Sequence, residues 1–401
     1  MLEWLRERLL ARPWWLNVLL LFCVYMSVVY VPWDLFLKPV THDEEVWFGI
    51  RLTGWAAKLA TPLHWAVYGA GAYGLWRMRP WFWPWGSLYV AQIAVGTWIW
   101  SVRYIENEWG WLLGVTGCLL LGALAYALWR ARPRFRRTKG QLRERYGEWA
   151  LITGASAGIG AELARALARE GISCVLTARR EERLRVLAHE IETKWGVRTR
   201  TVAVDLATIE GPDLLAKAVV DLPVSIVVNN AGSGYAGRFE KLDAKRLREM
   251  VLLNCVTPVV LTRRLLPALR ERGRGAVLFT GSVAGRQPLP LHAVYSATKG
   301  FNLLLGEALW AELRGSGIAV LVIEPGSTAT EFQEVAGELP HPGVSPARVV
   351  ADALAALGQQ PSVISGWFNW LRAQTVRVVP RSLAVLVAER VIRAQTPLAM
   401  R

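Results

Sequence analysis

Four stretches with no charged residue crowd the first 130 positions, at 14–33, 59–76, 80–102 and 109–129. Each is close to the roughly 18–20 residues that a helix needs to cross a hydrocarbon core. Backbone polar groups find no partner in lipid, so such a chain is driven to helices that satisfy their own N–H and C=O groups. Sixteen of the 21 tryptophans fall in residues 1–140, and many sit at the ends of these stretches, such as Trp14, Trp33, Trp55, Trp76, Trp109 and Trp129. Aromatic girdles of this kind belong at lipid–water boundaries. The expectation over residues 1–130 is an all-α transmembrane bundle of about four helices.

Charge in the connecting segments sets an orientation. Arg6, Arg8 and Arg12 precede the first stretch, and Arg77 and Arg79 separate the second from the third. Arg130, Arg132, Arg134, Arg136, Arg137 and Lys139 follow the fourth, while the alternate loops carry Asp43, Glu44, Glu45, Glu106 and Glu108. The positive-inside rule then puts both ends of the bundle in the cytoplasm, in agreement with an even number of crossings. The first stretch lacks a small-residue cleavage site and is followed by further apolar runs, so it reads as a span and not a signal peptide. An alternative with three spans stays open, in which 59–76 is re-entrant, because Thr61-Pro62 and Gly69, Gly71 and Gly74 weaken its helix. The same glycines also suit close helix packing. His42-Asp43-Glu44-Glu45 reads as a solvated charged loop rather than a metal site, and His64 as a helix-packing or interfacial histidine.

The net charge of +15 is shared along the chain: residues 1–140 hold 15 basic and 8 acidic side chains, and the rest hold 32 and 24. Neither part has a basic helix interleaved with base-stacking aromatics, so no nucleic-acid partner is expected, and anionic membrane lipid is the plainer match for the basic surface. Cys23, Cys118, Cys174 and Cys255 have no paired spacing and read as buried filler, with no disulfide and no metal expected.

After a basic linker over 131–147 the pattern changes. Short β-type runs at 150–153, 174–177, 200–204, 225–228, 276–280 and 318–323 alternate with helical stretches near 159–169, 181–194, 214–220, 244–271 and 294–313. This alternation predicts an α/β fold over 148–345, a Rossmann-like doubly wound parallel sheet with helices on both faces. Such sheets bind ligands at the carboxyl ends of their strands. There, Thr153-Gly154-Ala155-Ser156-Ala157-Gly158-Ile159-Gly160 opens a helix whose N–H groups suit a pyrophosphate. Tyr295 and Lys299 lie four apart, on one helix face, and an ammonium beside a phenol favours the phenolate left after proton donation. The pair and the turn together point to hydride chemistry on a carbonyl or alcohol with a nicotinamide cofactor.

Residues from about 148 to 335 resemble the short-chain dehydrogenase/reductase family. The resemblance rests on Thr153, Gly154, Gly158 and Gly160, on Asn229-Asn230-Ala231-Gly232, on the set Asn254, Ser282, Tyr295 and Lys299, and on Pro325-Gly326 followed by Thr328. It implies that Tyr295 is the general acid in carbonyl reduction, or the base in reverse. Lys299 would lower the phenol's pKa and bond the nicotinamide ribose, Ser282 would hold the substrate oxygen, and Asn254 would anchor a proton relay through water. It also implies that Thr153, Gly154, Ser156, Gly158, Ile159, Gly160, Asp205, Asn229, Ala231, Gly232, Pro325, Gly326 and Thr328 line the cofactor with Tyr295 and Lys299, Asp205 contacting the adenine. The second strand ends in Thr177-Ala178-Arg179-Arg180, with no acid to hold a ribose 2′-hydroxyl. An arginine there pairs with a 2′-phosphate, so NADP(H) is expected rather than NAD.

Substrate choice in this family resides in the segments matching 283–292 and 328–345, which are largely apolar or turn-forming here. They suit a lipophilic carbonyl compound such as a 3-oxoacyl, long-chain or polycyclic ketone. His292 reads as a loop or packing residue. In the extension over 346–401, Trp367, Phe368, Trp370, Leu371, Val376, Val378 and Val379 interleave with Arg372, Arg377 and Arg381. That pattern fits an interfacial amphipathic segment, or a helix packed on its own core or on a dimer partner. The resulting expectation is an integral protein of a bacterial inner membrane, with its N-terminus and an NADP-dependent oxidoreductase domain in the cytoplasm. The resemblance adds homodimer pairing through the long helices that carry Asn254 and Tyr295. Three alternatives stay open. The same site could run as an alcohol dehydrogenase on a lipid alcohol. The chain could be a non-catalytic NADP-binding redox sensor or scaffold, which would not need the intact Asn–Ser–Tyr–Lys set. A transporter fused to a reductase is disfavoured by the few intramembrane charges.

Overall fold

A computed structural model describes residues 13–105, 108–132 and 140–401. Arg6, Arg8, Arg12, Glu106, Arg134, Arg136, Arg137, Lys139 and the side chain of Glu108 lie outside the described residues, as does most of the basic linker. The chain divides into two compact units, Met1–Thr138 and Lys139–Arg401.

In the first unit, α1 (Trp14–Tyr25) runs through a π turn (Met26–Tyr30) into α2 (Val31–Phe36). A hairpin of β1 (Glu44–Trp47) and β2 (Ile50–Thr53) precedes α3 (Trp55–Trp76), α4 (Phe82–Tyr104) and α5 (Glu108–Arg130). Four helical rods thus stand where the four uncharged stretches lie. Trp14–Phe36 and Trp109–Arg130 are long and apolar enough to cross a membrane. Ala244–Glu271 also has that length and composition, but it lies in the second unit, where it packs in a sheet domain. Over 59–76 the chain forms part of α3, one helix of 22 residues with Pro62 inside it. Its glycines serve packing: a Cβ on Gly74 would lie 2.8 Å from the Phe82 ring, and one on Gly71 3.2 Å from Cys23 Sγ.

The segment 42–45 is a solvated loop only in part: His42 and Glu44 are exposed, but the other two acids have close partners. Asp43 is buried, 3.0 Å from Lys38 Nζ and 3.3 Å from Lys58 Nζ, and Lys38 also meets Asp34 at 2.8 Å. Glu45, in β1, lies 2.7 Å from His64 Nδ1, whose ring stacks on Trp47 at 4.2 Å. A charge removed from water costs little only when an opposite charge meets it, and the two lysines supply that match for Asp34 and Asp43. His64 is therefore a packing residue with a carboxylate partner.

The second unit starts with α6 (Gln141–Tyr146). Its strands are β3 (Trp149–Thr153), β4 (Ser173–Ala178), β5 (Thr199–Ala203), β6 (Val224–Asn229), β7 (Gly275–Thr280), β8 (Ile318–Glu324) and β9 (Ser362–Ile364). They form one parallel sheet in the order β5-β4-β3-β6-β7-β8-β9. Successive side chains point to opposite faces. Ala150 and Ile152 of β3 accordingly enter one buried core, and Trp149 and Leu151 the other. Covering helices are α7 (Gly158–Arg169), α8 (Glu181–Trp195), α9 (Gly211–Lys217), α10 (Ala244–Val251), α11 (Thr257–Glu271) and α12 (Ala293–Glu312). The chain ends in α13 (Phe332–Ala336), α14 (Pro346–Ala356), α15 (Trp367–Val378) and α16 (Arg381–Gln395).

Three expectations need correction. Residues 346–364 are not an appended extension, because Val349, Val350 and Ala353 of α14 join the core containing Ala164, and β9 pairs with β8. Helix α9 starts at Gly211, where Pro212 suits a first turn, and not at 214. The helix over 244–271 contains a π turn at Leu252–Val256 that buries Asn254.

The long helix α12 lies hard against the sheet. A Cβ on Gly306 would sit 2.2 Å from Val322 Cγ2 of β8. Gly306→Ala is therefore expected to cost about 1–3 kcal/mol through overpacking. The check is the thermal midpoint of the detergent-solubilised protein, and an unchanged midpoint would contradict this contact.

Candidate active site

The glycine turn after β3 is held by the Thr153 hydroxyl and by close backbone packing. Thr153 Oγ1 donates to Val228 O at 3.0 Å and accepts the N–H groups of Asn230 and Ala231 at 2.9 Å each. Gly154 has φ +66°, and a Cβ there would lie 2.9 Å from Ala231 Cα. A Cβ on Gly160 would lie 2.3 Å from Gly154 O. Among the described residues no side chain caps α7 at Ala157, so its first N–H groups remain available at the positive end of the helix dipole. A cradle of this shape fits the pyrophosphate of a dinucleotide.

One cleft of about 760 Å³ runs from this turn along the carboxyl ends of the strands. Gly154, Ser156, Gly158, Ile159, Arg179, Arg180, Asp205, Ala231, Gly232, Ser282, Tyr295, Lys299, Pro325, Gly326 and Thr328 all line it. Thr153, Gly160, Asn229 and Asn254 support it from behind. Asn229 turns its amide to Thr262 Oγ1 at 3.0 Å, and its neighbour Asn230 borders the cleft instead, donating to Thr153 O at 2.9 Å. Adjacent residues at a strand end face opposite ways, so the paired asparagines alone could not tell which one does this. Asp205 Oδ1 accepts the Ala207 N–H at 3.0 Å.

Lys299 is buried and donates from Nζ to Thr280 O at 2.8 Å, with Nζ 5.7 Å from the centre of the Tyr295 ring. Burial pushes the ammonium down to about 8. Burial also pushes the Tyr295 phenol well above 10, against the hydrogen bond from Ser282, which lowers it; nearby Glu338 adds to the rise. Ser282 Oγ lies 3.3 Å from Pro325 O and accepts the Ala284 N–H at 3.1 Å. The Asn254 amide donates to Ser233 O at 2.9 Å and Thr298 Oγ1 at 3.0 Å, and its backbone carbonyl accepts from Asn302 at 3.0 Å. The π turn redirects that carbonyl, since it interrupts the regular ladder.

The walls beyond Tyr295 include partners that were not foreseen. Arg286 forks onto buried Glu324 at 2.5 and 2.6 Å, pinning the segment after Ser282 to the end of β8. The acid ending an otherwise apolar strand was the available signal. Leu291 has φ +65°, unusual for a side chain of its size, and its carbonyl accepts the Gly237 N–H at 2.8 Å. His292 is buried beside Tyr295, at 6.0 Å between ring centres, and burial lowers its pKa. Val376, Leu383, Val387 and Val391 of α15 and α16, with Val379 between the two helices, complete an apolar side, while Trp367, Phe368 and Trp370 stay exposed on α15.

Residues 148–339 match the short chain dehydrogenase family. The very-long-chain 3-oxoacyl-CoA reductase of Homo sapiens is 32% identical over 253 residues, which cover 59% of this chain and 80% of the relative. The very-long-chain 3-oxoacyl-CoA reductase-A of Danio rerio is 31% identical over 291 residues, covering 68% and 91%. Among solved structures, a 7beta-hydroxysteroid dehydrogenase superposes with a TM-score of 0.58 at 29% identity, covering 62% of this chain and 98% of its own. A short-chain dehydrogenase from Sphingobium yanoikuyae in complex with NADPH gives 0.53 at 31% identity, covering 58% and 94%. The chain belongs to the short-chain dehydrogenase/reductase family and is an oxidoreductase that uses a nicotinamide cofactor.

Proposed function

We propose that the protein is a membrane-anchored, NADPH-dependent reductase of a lipophilic carbonyl compound, with long-chain 3-oxoacyl thioesters as the substrate class. The observation that carries this reading is a single cleft with Ser282, Tyr295 and Lys299 at its head and valines and leucines of α15 and α16 along its side. An apolar wall next to a proton donor suits a carbonyl on a hydrocarbon chain. The names of the human and zebrafish relatives support the 3-oxoacyl class. Arg179 and Arg180 at the end of β4, with no acid there, support NADP(H), as does NADPH in the Sphingobium structure. The apolar stretches Trp14–Phe36 and Trp109–Arg130 and the basic segments around them support an anchor with the enzyme on the cytoplasmic side. Phe301 and Leu304, exposed on α12, support pairing of two copies through the long helices.

In this reading the bound cofactor supplies hydride. Ser282 holds the carbonyl oxygen as negative charge grows on it. Tyr295 delivers its phenolic proton to that oxygen. Lys299 keeps its ammonium near the phenolate left behind, and its bond to Thr280 O fixes the direction of the side chain. Asn254 Oδ1 and Lys299 Nζ flank one point beside Gly232, 3.2 and 3.3 Å from where a Cβ would stand. That juxtaposition supports recharging of the proton along this side. Arg286, through Glu324, keeps the segment carrying Ser282 from shifting.

Two outcomes test the reading. Tyr295→Phe should lower kcat for 3-oxoacyl thioester reduction by about 10²–10⁴-fold while leaving NADPH affinity within about twofold. NADPH oxidation by full-length protein in detergent measures the first and calorimetric titration the second. Turnover retained in the Phe variant would remove Tyr295 as the donor. The pH profile of kcat/KM gives the other. The Lys299 ammonium is present below about 8 and is lost as pH rises through that value, whereas the upward-shifted phenol stays protonated. Reduction should therefore hold at neutral pH and decline on the alkaline side near 8. A profile flat well beyond that point would show that the ammonium is not required.

A further inference from the structure

Three elements meet at the far end of the cleft from Tyr295. The glycine turn contributes Ser156, the end of β4 and the start of α8 contribute Arg179, Arg180 and Arg183, and the segment after Pro325-Gly326 contributes Thr330 and Glu331. Arg180 donates to Glu331 at 2.8 Å and to Ser156 Oγ at 3.1 Å. Arg183 pairs with the other oxygen of the same carboxylate. Thr330 rests on the turn itself, since a Cβ on Gly158 would lie 2.9 Å from its methyl group. Arg179 is exposed and has no ion pair among the described residues. The two arginines hold the Glu331 carboxyl below the usual range. Glu331 is thus an anion held by two guanidinium groups, on the segment that also carries Phe332, 5.3 Å from the Tyr295 ring centre.

We propose that Glu331 is an anionic gate on the 2′-phosphate subsite, occupying Arg180 and Arg183 until the phosphate of NADP(H) takes them. The inference rests on the NADP reading above and adds a residue that opposes it. Phosphate and carboxylate both fork onto guanidinium, so they compete for the same donors. A site that binds phosphate only with the gate open shows an affinity reduced by the open fraction. Taking the arginines from Glu331 also frees the segment carrying Thr330 and Phe332 from the nucleotide end. Cofactor phosphate and substrate loop are coupled through one ion pair.

The test is calorimetric titration of full-length protein in detergent, wild type and Glu331→Gln, with NADPH and with NADH at fixed ionic strength. The Gln variant should bind NADPH about fivefold more tightly, with NADH, which lacks the phosphate, changed by less than about twofold. In an Arg180→Ala background the Glu331→Gln gain should shrink by more than half. Glu331 is 39% exposed at its side chain, so neither charge removal nor the alternative Glu331→Ala threatens the fold. Equal shifts for both cofactors, no shift, or weaker NADPH binding would overturn the gate. A wild type that shows no preference for NADPH over NADH would instead sink the NADP reading, and that arm alone identifies this outcome.

Discussion

Helix α12 meets the rest of the sheet domain at three points where a side chain has no room. Gly306 abuts Val322 of β8, Gly285 would place a Cβ 2.6 Å from the Lys299 carbonyl carbon, and Gly232 would place one 3.3 Å from Lys299 Nζ. Glycine is needed because backbone must approach a β8 side chain at Gly306, backbone at Gly285 and a buried amine at Gly232. The first contact sets the height of α12 over the sheet. The second locks the segment carrying Ser282 onto the turn of α12 carrying Lys299. The third leaves the ammonium its berth against Thr280 and Asn254. Tyr295, one turn before Lys299, inherits its position from all three. The proton donor is therefore located by close packing against glycines, which tolerates less adjustment than a loop would.

That packing explains the electrostatics of the head group. Burial disfavours charge on either residue, raising the phenol and lowering the ammonium. A protonated phenol at neutral pH is the form a donor needs. Glu338 reinforces it, because a carboxylate nearby makes the phenolate still less favourable. After the proton leaves, Lys299 is the cation beside the phenolate, 5.7 Å from the ring centre, and its Nζ has N–H donors left after bonding Thr280 O. The balance needs Lys299 to remain charged inside the protein, which its backbone partner helps to secure.

What could be read from the sequence followed local rules, and what could not depended on distant partners. Six strands lay within a residue or two of their true places, since β-branched runs between helical stretches are a local pattern. The seventh, Ser362–Ile364, spans three residues and shows no period; its pairing with β8 makes it a strand. The glycine turn and the tyrosine–lysine spacing were legible because backbone clearance and helical pitch demand them. The role of Glu331 was not, because its partners lie about 150 residues earlier, Arg180 at a separation of 151 and Arg183 at 148. Arg286 was read within a turn-forming segment, although its partner Glu324 stood in plain view at the end of an apolar strand.

The same limit governs the first unit and bears on what it can do. Composition showed acids at Asp43, Glu44 and Glu45 and suggested water around them. In the fold, Asp34 and Asp43 are matched by Lys38 and Lys58, and Glu45 by His64. Lys58 also donates to the carbonyl of Lys38 at 2.8 Å, which ties α3 to the segment leaving α2. An ion or proton path needs a charge that can change partners as cargo passes. Here Asp43 and Glu45 are held by Lys58 and His64 of α3 and Asp34 by Lys38, four residues on, and the hairpin is clamped to α3 by the result. A clamp of this kind argues against a transport pathway through these residues.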